Sequence, residues 1–240
     1  MARPCGLSVR QNAAFSATMN GIVRAYEARD REAVRFICCE TGFMGEPMER
    51  FMEGREVFAD LWAAYWTDYE PEHVWVSEVD GKVVGYIFGG LDTQRQERIW
   101  FRKLFPRVLY KAFTTECIKS RKTRRYVKQV FRSYRRGELD LPHLGREYPA
   151  HLHTNILDGY RGIGLGKKMM IAWLDHLKEH GVPAIHLVTT TYNKIAVPFY
   201  KHMGFKVLFE IPTTMWDYLI DEPVAMLGMG MKLGDTQQPE

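Results

Sequence analysis

The segment Tyr160-Arg161-Gly162-Ile163-Gly164-Leu165-Gly166-Lys167 lies between an alternating strand pattern ending at Leu157 and a helical pattern running from about Gly164 to His180. Glycine permits the positive φ angles and the close backbone approach that such a turn needs. A turn of this kind at a helix N-terminus gathers several backbone N–H groups beside the positive end of the helix dipole, an arrangement that binds phosphate. The spacing is not that of a Walker loop, because GxxxxGK followed by Ser or Thr is absent. Nor does the following chain supply the repeated strand–helix units and acidic residue of a dinucleotide fingerprint. Taken alone, the glycines also suit an ordinary tight turn.

The surrounding pattern sets the architecture. Gly21 to Tyr26 reads as a short strand, and Asp30 can cap a helix from about Arg31 to Cys39. Gly42, Gly45 and Pro47 mark a loop. Phe58, Leu61, Trp62 and Tyr65 recur at helical spacing over roughly Val57 to Tyr65. Trp75 to Phe88 is expected to be an antiparallel hairpin turning at Asp80-Gly81, a strong two-residue turn signal. After the turn segment, Met170, Trp173, Leu174 and Leu177 share the inward face of a helix closed by Gly181. Strands follow at Ala184–Thr189, Phe205–Glu210 and Met226–Leu233, with a short helix at Asn193–His202 between the first two.

Composition narrows the class. In 240 residues, 46% are hydrophobic and 26% charged, which is ordinary globular usage and excludes a wholly disordered chain. The longest apolar run, Val83–Leu91, is nine residues with three glycines, far short of the roughly 20 needed for a membrane span. No membrane partner is therefore expected. The first 20 residues lack an apolar signal core and read as a poorly ordered leader. Cys5, Cys38, Cys39 and Cys117 form no CxxC pair, so free thiols in a reducing cytoplasm are expected, with no metal site. The net charge of +4 conceals an asymmetry. Residues 93–147 hold 16 Lys/Arg against five Asp/Glu, a net of +11, leaving 17 against 24 elsewhere, a net of −7.

A second segment gives the glycine turn a context. Asn193-Lys194-Ile195-Ala196-Val197-Pro198-Phe199-Tyr200-Lys201-His202-Met203-Gly204-Phe205 follows it by about thirty residues. Together the two resemble the GNAT N-acetyltransferase family. Arg161 to Gly166 matches its pyrophosphate loop (Gln or Arg, two residues, Gly, one residue, Gly or Ala). Asn193 to Phe205 matches its N-x-x-A-x-x-F-Y-x-x-x-G-F element. The likeness covers about 22–91 and 148–233, and leaves out the leader and the basic insert. The long insert before Tyr148-Pro149-Ala150-His151-Leu152-His153 also looks like the acetyltransferase-like domain attached to some O-GlcNAc hydrolases.

The resemblance implies a mixed α/β (α+β) domain over 21–240. It would have a central twisted sheet of six to seven strands, a splayed parallel pair, flanking helices and a basic helical insert at about 93–147. It implies acetyl-CoA as cosubstrate, held where strands Tyr148–Leu157 and Ala184–Thr189 splay. The backbone near Asn155, Ile156 and Leu157 would pair with the pantetheine arm. The N–H groups of Arg161, Gly162, Ile163, Gly164, Leu165 and Gly166 would hold the pyrophosphate, with Lys167 adding charge. Asn193 would bond the arm, Phe199 would line it, and Tyr200 would protonate the departing thiolate. A phenol near pKa 10 can protonate a thiolate whose free thiol titrates near 8.5. Asn193 equally suits a helix N-cap, and Tyr200 a core aromatic.

The acceptor is expected to be a primary amine, on a small molecule or a peptide. It must lose a proton before attack, and many relatives place a carboxylate on the splayed strand. Here His151, His153 and Asn155 share that face by alternation, and no carboxylate is among them. His151 and His153 are therefore the candidate bases, with Asp158 and Glu78 less well placed. Thr41 to Gly45, Trp62, Tyr65 and Trp66 fall on the acceptor side. The missing carboxylate leaves a catalytically weak CoA-binding module as one alternative. A polyanion or nucleic-acid binder acting through the insert is another. The insert's helices are expected around Val108, Leu109 and Phe113, and at Val127, Val130, Phe131 and Tyr134. They read as a solvated pair covering the sheet, without a base-stacking platform, so nucleic acid is not the expected partner. Exposed strand edges leave a homodimer among the expected assemblies.

Overall fold

A computed structural model describes residues 21–235. The leader expected over residues 1–20, with Cys5, lies outside them. Seven strands form one sheet: β1 (Gly21–Ala25), β2 (Val74–Val79), β3 (Lys82–Gly90), β4 (Ala150–Ile156), β5 (Ala184–Thr190), β6 (Lys206–Thr213) and β7 (Val224–Lys232). Their order is β1-β2-β3-β4-β5-β7-β6. Neighbours are antiparallel except β4 and β5. The β2–β3 hairpin turns where expected. Val79 faces Lys82, and Asp80 and Gly81 both take positive φ, 50° and 77°, as a two-residue turn between twisted strands requires.

Strand β3 is buried on both faces, so its alternation divides the core. Tyr86 and Phe88 join Val34, Ile37, Phe58 and Trp66 on one side. Ile87 joins Leu152, Met170, Trp173 and Leu187 on the other. The first side is covered by α1 (Arg31–Glu40), α2 (Arg55–Trp62) and α3 (Ala64–Tyr69). The sequence pattern reads α2 and α3 as one helix, but the chain breaks at Ala63. The expected cap of α1 also differs. Asp30 accepts the N–H of Glu27 and pairs with Arg24, securing the short turn before α1 rather than α1 itself.

The insert contributes α4 (Thr93–Ile99), a π-turn at Trp100–Leu104, α5 (Phe105–Thr114) and α6 (Arg121–Arg135). These helices do not chiefly cover the sheet, as the sequence suggests. Helix α5 packs on α2. It is tied there by Lys111 to Asp60 at 2.5 Å, and the buried Asp60 also holds Arg35 of α1 at 2.7 Å. Helix α6 lies over loops: Lys122 donates to Glu49 O, Gln129 to Thr214 O, and Tyr126 stacks on Trp216. The second face of the sheet is covered by α7 (Leu165–Glu179) and α8 (Ala196–His202). In α7, Met170, Trp173, Leu174 and Leu177 all turn inward as the spacing requires. No helix among the described residues is long and apolar enough to cross a membrane. Cys38, Cys39 and Cys117 are free and buried.

Candidate functional site

Strands β4 and β5 pair only through Ala150 with Ile185 and His151 with His186. Each then continues along its outer neighbour, β4 beside β3 and β5 beside β7. The two strands therefore part after His151 and leave a wedge between their facing edges. Leu157 donates its N–H to Val84 O at 2.9 Å, toward β3. Alternation of peptide groups then turns residues 155 and 153 toward β3, and residues 152, 154 and 156 into the wedge. The backbone near Asn155, Ile156 and Leu157, expected to pair with an extended ligand, is thus divided between the two sides of the strand. Ile156 faces the wedge, joined by Thr154, whereas Asn155 and Leu157 bond on the far side. The side chain of Asn155 donates to Tyr86 Oη at 2.7 Å.

The glycine turn borders the β4 side of the wedge. Gly162 and Gly164 have φ of 78° and 85°, and Gly164 immediately precedes α7. A Cβ at either would meet nothing within 4 Å, so their need for glycine is conformational and the space over the loop is open. A Cβ at Gly166 would lie 3.4 Å from the Phe199 ring and 3.6 Å from Ile156, which places Phe199, the turn and β4 in contact. The first bond of this 15-residue helix runs from Lys168 N to Gly164 O, so the N–H groups of Leu165, Gly166 and Lys167 have no acceptor within the helix. Leu165 is itself a core side chain, so only its backbone can serve a ligand. The Arg161 side chain has a use not visible in sequence. Its Nε donates to Ile156 O at 2.9 Å and Nη2 to Gly45 O at 2.6 Å. The guanidinium therefore links the wedge to the loop expected on the acceptor side.

On the β5 side, Asn193 Oδ1 accepts the Ala196 N–H at 3.1 Å, the capping contact expected of it. Its Nδ2 reaches Thr189 Oγ1 at 3.5 Å, the limit of a bond. Pro198 occupies the first turn of α8, where a missing N–H costs least. Tyr200 is buried between Phe199 and Phe205. Burial raises its phenol above the ordinary range, so it stays protonated and is a weaker acid than a free tyrosine.

His151 and His153 do share one face, and β5 adds His186, with ring centroids 6.0 Å from His151 to His153 and 5.9 Å from His151 to His186. Thr93 Oγ1 lies 3.0 Å from Pro149 O and 3.0 Å from His151 Nδ1. With the Thr93 hydroxyl donating to Pro149 O, His151 Nδ1 carries the proton and Nε2 the lone pair; with the hydroxyl turned to His151, Pro149 O keeps the Thr93 N–H and the tautomer is reversed. His186 Nδ1 donates to Tyr148 O at 2.8 Å. Burial, with the neighbouring imidazoles, holds His151 well below the ordinary range and His153 at about 4. Both are neutral at pH 7, and the same burial makes them weak bases. Thr93 and His186 escape the sequence reading: His186 faces His151 only through strand register, and Thr93 reaches β4 only through the insert's path.

The other proposed carboxylates are poorly placed. Asp158 is 96% exposed and pairs with Arg161 at 3.7 Å. Glu78 is on β2, two strands from the wedge, and pairs with Arg24 at 2.8 Å. Tyr65 and Trp66 are core residues, Trp66 stacking on Phe88. Trp62 is 44% exposed with its ring 6.1 Å from His153, which makes it the aromatic of this group available to a ligand. The loop beneath is fixed from two sides, through Arg161 at Gly45 and through Thr190 Oγ1 donating to Met44 Sδ at 3.3 Å. Among the described residues no cluster of His, Cys, Asp and Glu could hold a metal ion.

Residues 146–205 match the acetyltransferase (GNAT) family. The chain is 36% identical over 58 residues to a mycothiol acetyltransferase of Nocardiopsis dassonvillei, a stretch that is 24% of this chain and 15% of that protein. The crystal structure of SsHAT superposes with a TM-score of 0.70 at 29% identity, covering 89% of this chain and 98% of SsHAT. The yncA protein of Salmonella typhimurium, solved with its cofactor acetyl-CoA, shares the fold with a TM-score of 0.54 at 14% identity, covering 92% and 98%.

Proposed function

From a chain that carries the GNAT acetyltransferase fold and that family's segment at residues 146–205, we infer an acetyl-CoA-dependent N-acetyltransferase acting on a primary amine. The observation that carries this reading is the wedge. It combines two parallel strands that part after one short paired stretch with a glycine turn at the N-terminus of α7 on its border. The wedge-facing edge of β4 at Thr154 and at the Ile156 N–H suits the amide-rich arm of coenzyme A, the Ile156 carbonyl being taken by Arg161. The N–H groups of Leu165, Gly166 and Lys167 suit its pyrophosphate. Bound acetyl-CoA supplies an acyl group activated as a thioester, and its C–S bond is exchanged for a C–N bond to the acceptor. The protein supplies orientation and proton handling. His153, beside the half-exposed Trp62, takes the proton lost by the amine nitrogen. Tyr200 returns a proton to the thiolate sulfur.

The low basicity of His151 and His153, with no carboxylate beside them, favours a second reading. In it the chain binds coenzyme A without efficient turnover. Thiol release from acetyl-CoA, followed with a panel of amines (polyamines, amino acids, aminoglycosides, lysine peptides), separates the two. Release that needs both protein and amine, with the acetylated amine recovered, supports the enzyme. Binding of acetyl-CoA with no release above background from any amine supports the binding module.

A further inference from the structure

The basic insert presents its apolar side chains outward. In α6 the residues at helical spacing, Val127, Phe131 and Tyr134, are 49%, 58% and 69% exposed, while Thr123 and Ser133 face the protein. Helix α5 and the turn before it repeat this, with Phe101, Tyr110 and Phe113 all exposed. Most of the exposed apolar groups on the insert are aromatic. They sit among cations: α6 contains no acidic residue, and Arg124, Lys128, Arg132 and Arg135 recur along its exposed side. A surface depression of about 710 Å³ is lined by Lys128, Phe131, Arg132, Arg135 and Arg136, with the Arg135 guanidinium 5.9 Å from the Phe131 ring centre. A second, of about 510 Å³, is lined by Glu97, Arg98, Phe101 and Arg102.

We propose that the insert, through α6, is a binding surface for single-stranded nucleic acid. Cations alone would suit any polyanion. Exposed aromatic rings interleaved with cations suit one whose bases are free to stack, because every base offers a π-face and every nucleotide a phosphate. Four residues of helix advance about 6 Å, so the cations at 124, 128 and 132 can each meet a separate phosphate of one strand, and the preference for a single strand rests on the exposed rings. Duplex, whose bases are already stacked, could use the cations but not the rings. An acidic peptide could use the charge but has no rings to stack. The sequence argues against nucleic acid because periodicity assigns these aromatics to a covered face, and the structure uncovers them.

The test is fluorescence anisotropy of fluorescein-labelled 15-nucleotide oligo(U) and oligo(dT) with the full chain at 50–200 mM salt. Binding is expected, with log K falling against log salt at a slope of roughly −2 to −3, for three to four phosphates at about 0.7 each. Phe131→Ala with Tyr134→Ala should weaken it at least tenfold and leave the slope unchanged. Arg132→Gln should reduce the slope instead. These side chains are exposed, and an unchanged melting temperature shows that each variant is folded. The proposal is overturned by absence of binding at 50 mM salt. It is equally overturned if the double aromatic variant binds as tightly as the parent, or if a 15-base-pair duplex or polyglutamate binds as tightly as oligo(U). None of these readings depends on acetyl transfer, so the two proposals stand or fall separately.

Discussion

Single side chains divide the chemistry of the wedge. Burial raises the Tyr200 phenol above its ordinary range, which keeps its proton in place and makes it a weaker acid than a free tyrosine, so the proposed donation to the thiolate sulfur depends on close placement rather than on acidity. Tyr200→Phe keeps the ring packing on Phe199 and Phe205 and removes only the proton. We expect thiol release to fall by about 10²–10⁴, the usual share of a general acid, with acetyl-CoA affinity unchanged. An unchanged rate would assign the residue to packing alone. A second effect of burial is seen at the His73–His176–His180 cluster, away from the wedge. His73 Nδ1 lies 3.0 Å from His176 Nε2, and burial holds both imidazoles low, His176 at about 4. An imidazole lowered on folding binds fewer protons folded than unfolded, so stability is full near pH 7 and falls as pH drops from about 6.5 toward 4. The melting temperature should fall over that window, in which the buried His151 and His153 also take up protons, and His176→Gln should lessen the fall without abolishing it. An equally steep profile in the variant would place the acid sensitivity elsewhere.

At the scale of elements, two devices set the site. The first is the buried carboxylate of Asp60, which joins α1 through Arg35 and the insert through Lys111. Asp60→Ala leaves the buried Arg35 with only the exposed carboxylate of Glu56, 2.7 Å away, as its charged partner. The expected cost is about 3–5 kcal/mol by urea unfolding, against a smaller loss for Lys111→Ala, whose ammonium can turn to solvent. The second is the glycine turn. Gly164→Ala forces a side chain into φ 85° where no neighbour obstructs it, so the expected cost is about 1–2 kcal/mol of strain and a raised Kd for acetyl-CoA. An alanine variant of native affinity would separate the turn from ligand binding. Elements governed locally were legible in the sequence: the Asp80-Gly81 hairpin, the inward face of α7 and the cap at Asn193 all follow from nearest neighbours. The placing of β7 between β5 and β6 was not, because strand order is settled by contacts remote in sequence. Helix α6 shows a different limit. Periodicity shows which side chains share a face, and here Val127, Phe131 and Tyr134 do share one; it does not show which face the rest of the protein covers.

Across the whole molecule, one sheet serves two sides of one proposed reaction. The face under α7 and α8 carries the glycine turn and Tyr200, and the face under α1 to α3 carries the three histidines and Trp62. The wedge between β4 and β5 is where the two communicate, and Arg161 bridges it to the loop at Gly45. The motifs that made the wedge legible, Arg161 to Gly166 and Asn193 to Phe205, border its two sides. The histidines' basicity was not legible, because it depends on burial under α3 and on Thr93 from the insert. The central claim is that this wedge holds acetyl-CoA, and the most direct test is thermal unfolding with acetyl-CoA, coenzyme A and NADP. A ligand at 100 times its Kd adds about 2.7 kcal/mol, several degrees for a chain of this size. A rise with both coenzyme A species, absent with NADP and reduced in Gly164→Ala, is the expected result. No rise, or an equal rise with NADP, would contradict the claim and leave the turn a structural feature or a general anion site.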